Sequence, residues 1–197
     1  MTTRDQNSII IRPATSADAA QLSSLAHQLL LHERGLNEGM GELTRWAANP
    51  GELRKQMRRP NTRFFVAERI VAEGPEIAGY IKVVIHGRHS VSGERGATGW
   101  LIDVIERTAR GVFNLIFRRP RPNVEGAVGY IAGIFVRHEA RRANVGRALA
   151  AAAEDWLRSQ GVKISDLHVL SANEAAWRFW EEAGYKPLTM GMRKKLD

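Results

Sequence analysis

Hydrophobic and polar positions follow two periods in the first part of the chain, and each period predicts an element. A run of isoleucines before Pro13 predicts a buried strand at residues 8–12. Thr15, with Asp18 three residues later, resembles a capping box that uses Asp where Glu or Gln is usual. Leucines then recur every three or four residues, which predicts an amphipathic helix that Gly35 ends.

The next segment combines one short helical pattern with two extended ones. An Asn-Pro pair at residues 49–50 predicts the start of a short helix, because Pro fits the first helical position. Apolar and β-branched residues predict strands at residues 63–68 and 77–85, with a Gly-Pro turn at residues 74–75 between them. The two strands are expected to form an antiparallel pair.

The second half of the chain alternates strands and helices. The patterns predict a strand at 126–136, a helix at 145–160, a strand at 164–170, a helix at 172–183 and a final strand at 187–195. This order favours a single α/β domain over residues 1–197, built on a mixed sheet with flanking helices.

Residues 86–125 do not fit that order, and we interpret them as an insertion between core strands. A helix predicted at residues 100–117 is apolar on more sides than one packing surface needs. We expect it to cover an acceptor pocket as a lid or to form a homodimer interface. Contact with lipid is the less favoured alternative.

The amino-acid composition excludes several kinds of catalytic and binding site. The chain has no cysteine, which excludes disulfides, thiolate metal sites and an acyl-cysteine intermediate, and fits the reducing cytoplasm. No secretory leader or membrane span is expected. The net charge of +8 indicates either a solvated basic surface or affinity for anionic nucleotides. No basic stripe with interleaved aromatic residues occurs, so specific nucleic-acid binding is not predicted.

The segment at residues 136–149 carries the main chemical signal. A strand that runs into a helix N-terminus leaves backbone N–H groups free to bind an anion such as a pyrophosphate. Gly146 would let the backbone approach a phosphate, and Asn144 is a residue that tolerates a left-handed conformation. The alternative is an ordinary strand, loop and helix with a basic loop.

These residues resemble motif A of the GNAT acetyltransferase superfamily, Arg/Gln-x-x-Gly-x-Gly/Ala. The match reads Arg141-x-x-Asn144-x-Gly146, with Asn where Gly is usual. A second block also resembles the family, in the right order and at the right separation: Leu167-x-Val169-x-x-x-Asn173-x-x-Ala176-x-x-Phe179-Trp180-Glu181-Glu182-x-Gly184-Tyr185. The resemblance covers nearly the whole chain except residues 86–125 and implies a sheet that splays near a bound acetyl-CoA.

The resemblance also implies roles for individual residues. Phe135 and Val136 would pair through their backbone with the pantetheine amides. Asn173 would bond the pantetheine or cap the following helix, and Trp180 would lie near the thioester. The pyrophosphate would be held by N–H groups of the run from Arg142 to Arg147, which contains Ala143, Asn144, Val145 and Gly146. Arg141, just before this run, would belong to the same cofactor site.

Two groups that the family often uses for proton transfer are missing. A tyrosine that reprotonates the CoA thiolate would stand at Trp180, whose indole is no useful acid. The acidic base near the end of the central strand would match Ala132 and Gly133. Tyr130 and Tyr185 remain weak catalytic candidates, beside the alternative that both are core aromatics. An ordered water chain is our default route for the proton.

Three functions follow from these observations. The first is an acetyl-CoA-dependent N-acetyltransferase that acts directly on an amine of a small molecule or peptide in a ternary complex. The second is an acyl-CoA-binding regulatory or pseudo-enzymatic module, which the missing acid and base suggest. The third is a membrane-surface or partner-binding protein that acts through residues 100–117. Metal binding by His86 and His89 is not expected, because the chain has no cysteine and the two histidines lie in a glycine-rich setting.

Overall fold

The computed structural model of the chain describes residues 9–36, 49–71, 74–86, 126–141 and 143–192. Five strands form one sheet in the spatial order β1-β2-β3-β4-β5. The first three pairings are antiparallel and the last, β4 with β5, is parallel. The strands are β1 (Ile9–Pro13), β2 (Thr62–Val71), β3 (Gly74–His86), β4 (Val128–Val136) and β5 (Ile164–Leu167). The predicted mixed sheet is therefore confirmed.

In the part of the chain that the structure describes, four α-helices cover the two faces of this sheet: α1 (Ala19–Leu36), α2 (Pro50–Met57), α3 (Val145–Ser159) and α4 (Glu174–Glu182). Leu22, Leu25 and Leu53 of α1 and α2 pack on one face around Phe64 and Tyr80. A second core on the opposite face contains the buried side of α3 and the Trp180 ring of α4. The sheet therefore separates two hydrophobic cores.

Local signals explain how the first helices begin. The Asp18 carboxylate accepts the Thr15 backbone N–H at 2.6 Å, which is half of the predicted capping box. A short 3-10 turn at Ser16–Asp18 then leads into α1. At the start of α2, the Asn49 side chain accepts the N–H of Gly51 at 2.8 Å and Pro50 occupies the first helical position.

Several predicted boundaries were wrong. Gly35 does not end α1, which continues to Leu36. Residues 74–75 are not the turn, because Gly74 and Pro75 already pair with Val71 and Ile70 inside the β2–β3 ladder. β5 ends at Leu167 rather than at residue 170.

The final predicted strand also does not form in the described part of its range. Residues 187–192 have no regular structure, and Leu188 and Met192 are largely exposed. An apolar pattern becomes a strand only where a neighbouring strand accepts its hydrogen bonds. The predicted helix at 100–117, with its suggested dimer and lid roles, lies outside the described residues.

Candidate active site

The last two strands separate halfway along β4. β5 pairs with β4 only from Val128 to Ile131, although β4 continues to Val136. Within the described ranges no strand continues the pairing on that side of residues 132–136. An extended ligand could therefore add to this free backbone edge as a further strand would.

A bulge in β4 lies where the strands separate. Lys82 of β3 pairs with Gly133 and Val83 pairs with Ile131, so Ala132 is an extra residue in the ladder. The bulge places Tyr130 and Gly133 on the same face of the sheet, opposite Val84 and Lys82. Ala132 and Gly133 are the positions where the sequence lacks the family's acid, and the structure places no β4 carboxylate there.

The turn after β4 ends at a helix N-terminus. Asn144 adopts a left-handed conformation with φ 56°, the one non-glycine residue with positive φ among those described. The first intrahelical bond runs from the Ala148 N–H to the Asn144 carbonyl, so the N–H groups of Val145, Gly146 and Arg147 have no partner in the helix. No side chain caps this end and its first turn contains no acid. It is therefore a favourable place for an anion.

Arginine side chains border this turn. Arg141 Nε donates to the Val136 carbonyl at 3.0 Å, and its guanidinium lies 6.0 Å from the Phe135 ring centroid. Arg147 pairs with Glu182 of α4 at 2.6 Å, in an exposed ion pair. Arg141 therefore lies at the end of the free β4 edge, and Ala143 lies exposed in the turn itself. The predicted contact of Arg142 lies outside the described residues.

Gly146 faces a neighbouring helix. A Cβ at this position would lie 3.2 Å from Cε2 of Phe179. The close approach of α3 and α4 is thus a structural reason for glycine here. The predicted close approach of the backbone to a phosphate would be a second reason for glycine at this position.

α4 carries two of the predicted cofactor residues. Asn173 caps the helix, since its Oδ1 accepts the Ala176 N–H at 3.1 Å. Trp180 is 5% exposed and packs edge-on against Phe179 and Tyr185, at centroid distances of 4.8 and 5.1 Å. The Trp180 ring belongs to the α3 core, so its predicted place beside a thioester has no support from this packing.

The two candidate tyrosines lie on opposite faces of the sheet. Tyr185 donates to Ser165 Oγ at 2.9 Å, and Ser165 is the register partner of Gly129, which faces Leu157 of α3. Burial raises the pKa of Tyr185. Tyr130 is instead on the α1 face, so the two hydroxyls cannot serve one reacting centre together.

Tyr130 belongs to an aromatic group that sequence reasoning did not assemble. Its hydroxyl lies 2.8 Å from Nδ1 of His168, and its ring lies edge-on to His86 at 5.8 Å. Burial, with smaller contributions from Glu33 and Asp166, raises the pKa of Tyr130 to about 12. Tyr130 therefore keeps its proton at neutral pH and acts as a hydrogen-bond group, not as a phenolate base.

Glu33 of α1 was also missed, although the sequence contains a signal for it. It follows Leu29 by four residues and Leu22 by eleven, so it continues the inward stripe of the helix. Leu29 Cδ2 lies 3.3 Å from the position of a Cβ on Gly133. Glu33 is half-buried, and this burial raises the pKa of its carboxyl.

The described residues offer neither a metal site nor a membrane-spanning helix. Within these ranges no group of three or more His, Asp or Glu side chains could hold a metal ion. His89 lies outside the described ranges. No helix within these ranges has the length and apolar character needed to cross a membrane.

Comparison with protein families agrees with this geometry. Residues 34–185 match the model of the acetyltransferase (GNAT) family. The fold and the splayed sheet agree with the acetyltransferase class that this family model describes. Because the match covers most of the chain, the protein belongs to that family. No curated protein matches its sequence.

Solved structures share the fold at low identity. The chain is similar to a tetramutant of the BH1408 protein from Bacillus halodurans, with 20% identity, TM-score 0.61 and coverage of 95% of this chain and 99% of that one. It is also similar to the aminoglycoside N-acetyltransferase AAC(6')-Iy in complex with CoA, with 14% identity, TM-score 0.60 and coverage of 100% and 99%. A Bacillus halodurans C-125 protein described as a transcriptional regulator matches with 18% identity, TM-score 0.58 and coverage of 96% and 100%.

Proposed function

We propose that the chain is an acetyl-CoA-dependent N-acetyltransferase that acts on a primary amine of a small molecule or peptide. The observation that carries the proposal is the separation of β4 from β5 beyond Ile131, directly before the uncapped N-terminus of α3. An extended pantetheine arm fits the free edge, and a pyrophosphate fits the helix end. The aminoglycoside acetyltransferase with CoA, which has the same fold, supports this class of ligand and acceptor.

The residues that would hold acetyl-CoA fall into two groups. The backbone of Phe135 and Val136 would pair with the pantetheine amides, which requires Arg141 to give up its bond to the Val136 carbonyl. The released guanidinium would then lie close to the pyrophosphate. The N–H groups of Val145 and its neighbours would bind the phosphate oxygens.

The reaction would be a direct transfer in a ternary complex. The amine nitrogen attacks the thioester carbonyl, the C–N bond forms and the C–S bond breaks, and the CoA sulfur leaves with the electron pair. Backbone N–H groups at the bulge could stabilise the oxyanion. A thiolate is a tolerable leaving group, because a thiol pKa is about 8.5, so the absence of an acid at Trp180 need not prevent turnover. The lack of cysteine fits the cytoplasm as the place of action.

A second function, an acyl-CoA-binding module without turnover, is favoured by one observation: β4 has Ala132 and Gly133 where the family often has an acid. Calorimetry with acetyl-CoA and with CoA tests binding, and release of free CoA thiol across a panel of amines and peptide N-termini tests turnover. Binding with thiol release supports the enzyme. Binding without thiol release favours the module, and no binding contradicts both.

A further inference from the structure

Helix α1 carries a carboxylate on the face of the sheet where β4 has Gly133 in place of an acid. Leu29, on the inward side of α1, lies against Gly133. Glu33 follows Leu29 by one helical turn on the same side of the helix. Glu33 makes no hydrogen bond or ion pair with any residue in the described ranges. Glu33 is only partly exposed, so water solvates its carboxylate less fully than on the open surface and the approach of a cationic group is favoured.

Helix α1, which carries Glu33, packs on the face of the sheet that holds two tyrosines. Its leucines pack around Tyr80, and the register places Tyr130 and Gly133 on that face as well. Burial is the first cause that raises the pKa of Tyr80 and of Tyr130, and the charge of Glu33 is the second cause in both cases.

Tyr80 supplies a second group without a partner. Its side chain is 5% exposed, and its hydroxyl lies 3.9 Å from the position of a Cβ on Gly133. This hydroxyl makes no hydrogen bond within residues 9–36, 49–71, 74–86, 126–141 and 143–192. Among the described residues, the buried side-chain oxygen without a hydrogen bond is Oε1 of Gln56, so the Tyr80 hydroxyl oxygen keeps some exposure and is available to a polar ligand beside Gly133.

We infer that Glu33 is the base of the acetyl transfer: it receives the acceptor's ammonium group and removes a proton from it, while the Tyr80 hydroxyl contacts the acceptor beside Gly133. This inference rests on the proposed function. The carboxylate takes one proton from R–NH3+, the freed lone pair attacks the thioester carbonyl, and the thiolate leaves. The second amine proton is lost after the C–N bond forms and neutralises the thiolate through solvent.

The physical properties of Glu33 suit this role. An alkyl ammonium has a pKa near 10.4, far above that of an ordinary carboxyl. Burial of Glu33 narrows that difference and makes the carboxylate a stronger base. Removing the proton from a bound ammonium also removes a charge pair from a partly buried site, which favours attack by the neutral amine.

Other titratable groups on the elements around α1 do not replace Glu33. On this face they are Tyr80, Lys82 and His86 of β3, Tyr130 of β4, Asp166 of β5 and His168 after β5. The tyrosines are protonated at neutral pH, and Lys82 and His86 each have an interaction of their own.

The other charged residues of α1 and α2 also do not replace Glu33. Arg54 bonds the Ser16 carbonyl at the far end of α1, about 25 Å along the helix from Glu33, and Lys55 lies near Glu52. His32 and Arg34 flank Glu33 in the chain and are exposed. Asp166 of β5 is a second carboxylate on this face, but its charge acts on Tyr130 alone, whereas the charge of Glu33 acts on both Tyr80 and Tyr130. Among the described residues, Glu33 is thus the carboxylate of this face that acts on both tyrosines.

Glu33→Gln, with Glu33→Asp as the conservative variant and Asp155→Asn as the control, tests the inference. Asp155 is an exposed α3 residue in an ion pair with Arg158, remote from the bulge. We expect Glu33→Gln to leave acetyl-CoA affinity within twofold and to lower kcat for primary amines by about 100-fold or more. The acid limb of the kcat/KM profile should disappear, and Glu33→Asp should recover part of both. Asp155→Asn should match the wild type.

A titration of the carboxyl carbons by 13C NMR gives a readout that needs no turnover. The resonance lost in Glu33→Gln should titrate above the ordinary glutamate value of about 4.3, and it should shift when ethylamine is added to the acetyl-CoA complex. Retention of kcat and of the acid limb in Glu33→Gln overturns the inference. If no panel amine turns over, a Glu33 resonance that titrates at or below the ordinary value, or that ethylamine does not move, overturns it. Failure of the wild type to bind acetyl-CoA would instead contradict the proposed function.

Discussion

A Cβ on Gly146 would lie 3.2 Å from Cε2 of Phe179, so the start of α3 and the middle of α4 are in close contact at this point. Both helices carry residues of the predicted cofactor site, Asn144 and Asn173 among them. The contact limits how closely the start of α3 can approach the middle of α4. A change at Gly146 therefore acts on packing as well as on any bound phosphate.

Gly146→Ala should not show the gain that alanine normally gives in a helix. The added methyl must displace the Phe179 ring by a few tenths of an ångström, which we expect to lower the free energy of unfolding by about 1 kcal/mol. Gly35→Ala in α1 is the matched control, since nothing lies within 4 Å of its Cβ position. It should raise stability by up to about 1 kcal/mol. Urea denaturation measures both, and equal gains would show that Phe179 yields freely.

Asn144 should be replaceable by glycine but not by alanine. Its left-handed backbone costs an ordinary side chain about 1–2 kcal/mol, while glycine adopts it freely. Asn144→Gly should therefore keep stability and acetyl-CoA affinity, and Asn144→Ala should lower the unfolding free energy by about 1 kcal/mol. Calorimetry and denaturant titration provide the measurements. An alanine variant as stable as the wild type would indicate that the turn relaxes to another conformation.

Asp18 should contribute stability that depends on pH. The Arg12 hydrogen bond is the main cause that lowers the pKa of Asp18, against a smaller opposing effect of burial. A lowered pKa in the folded state stabilises the protein above the unfolded value of about 3.9, and this stabilisation is lost as the pH falls through the folded value. Asp18→Asn should cost about 1–3 kcal/mol at pH 7 and progressively less as the pH falls below the unfolded value of about 3.9.

Asp155→Asn is the comparison for this effect, because its ion pair with Arg158 is exposed at the helix surface. It should change stability at pH 7 by no more than about 0.5 kcal/mol. Urea unfolding at pH 7 and pH 3 separates the two. If Asp18→Asn costs as little as Asp155→Asn at pH 7, the Arg12 contact stabilises nothing.

The sequence was sufficient for the parts of the molecule that local chemistry determines. The cap at Asn49, the left-handed turn at Asn144 and the cap at Asn173 were each predictable from residue type and spacing. The mixed sheet was predictable from the order of the elements.

Features that depend on contacts across the sheet were not predictable. The bulge at Ala132 exists only in the pairing of β3 with β4, and it alone places Tyr130 and Gly133 on one face. The Tyr130–His168 contact joins residues of two separate segments. Glu33 does occupy an inward position on α1, but a polar residue at the end of an apolar helix face is usually interpreted as exposed to solvent. Which part of the sheet lies opposite Glu33 depends on tertiary packing, which the sequence pattern does not show.

Tyr130→Phe and Tyr185→Phe should separate function from stability, because the two hydroxyls lie on opposite faces of the sheet. Tyr185 donates a hydrogen bond to Ser165 on the α3 face of the sheet. Tyr185→Phe should therefore cost about 1 kcal/mol of stability and leave kcat and the pH profile unchanged. Tyr130 bonds His168 on the Glu33 face, so Tyr130→Phe should raise the acceptor KM several-fold or lower kcat while acetyl-CoA affinity stays within twofold. The Tyr130 pKa is about 12, so removing this hydroxyl should not remove either limb of the kcat/KM profile between pH 6 and 9. Thiol-release kinetics across that range, with thermal unfolding of each variant, measure both effects. A lost limb in Tyr130→Phe would show that the phenol itself exchanges the proton, and an acceptor effect confined to Tyr185→Phe would place the acceptor on the α3 face instead.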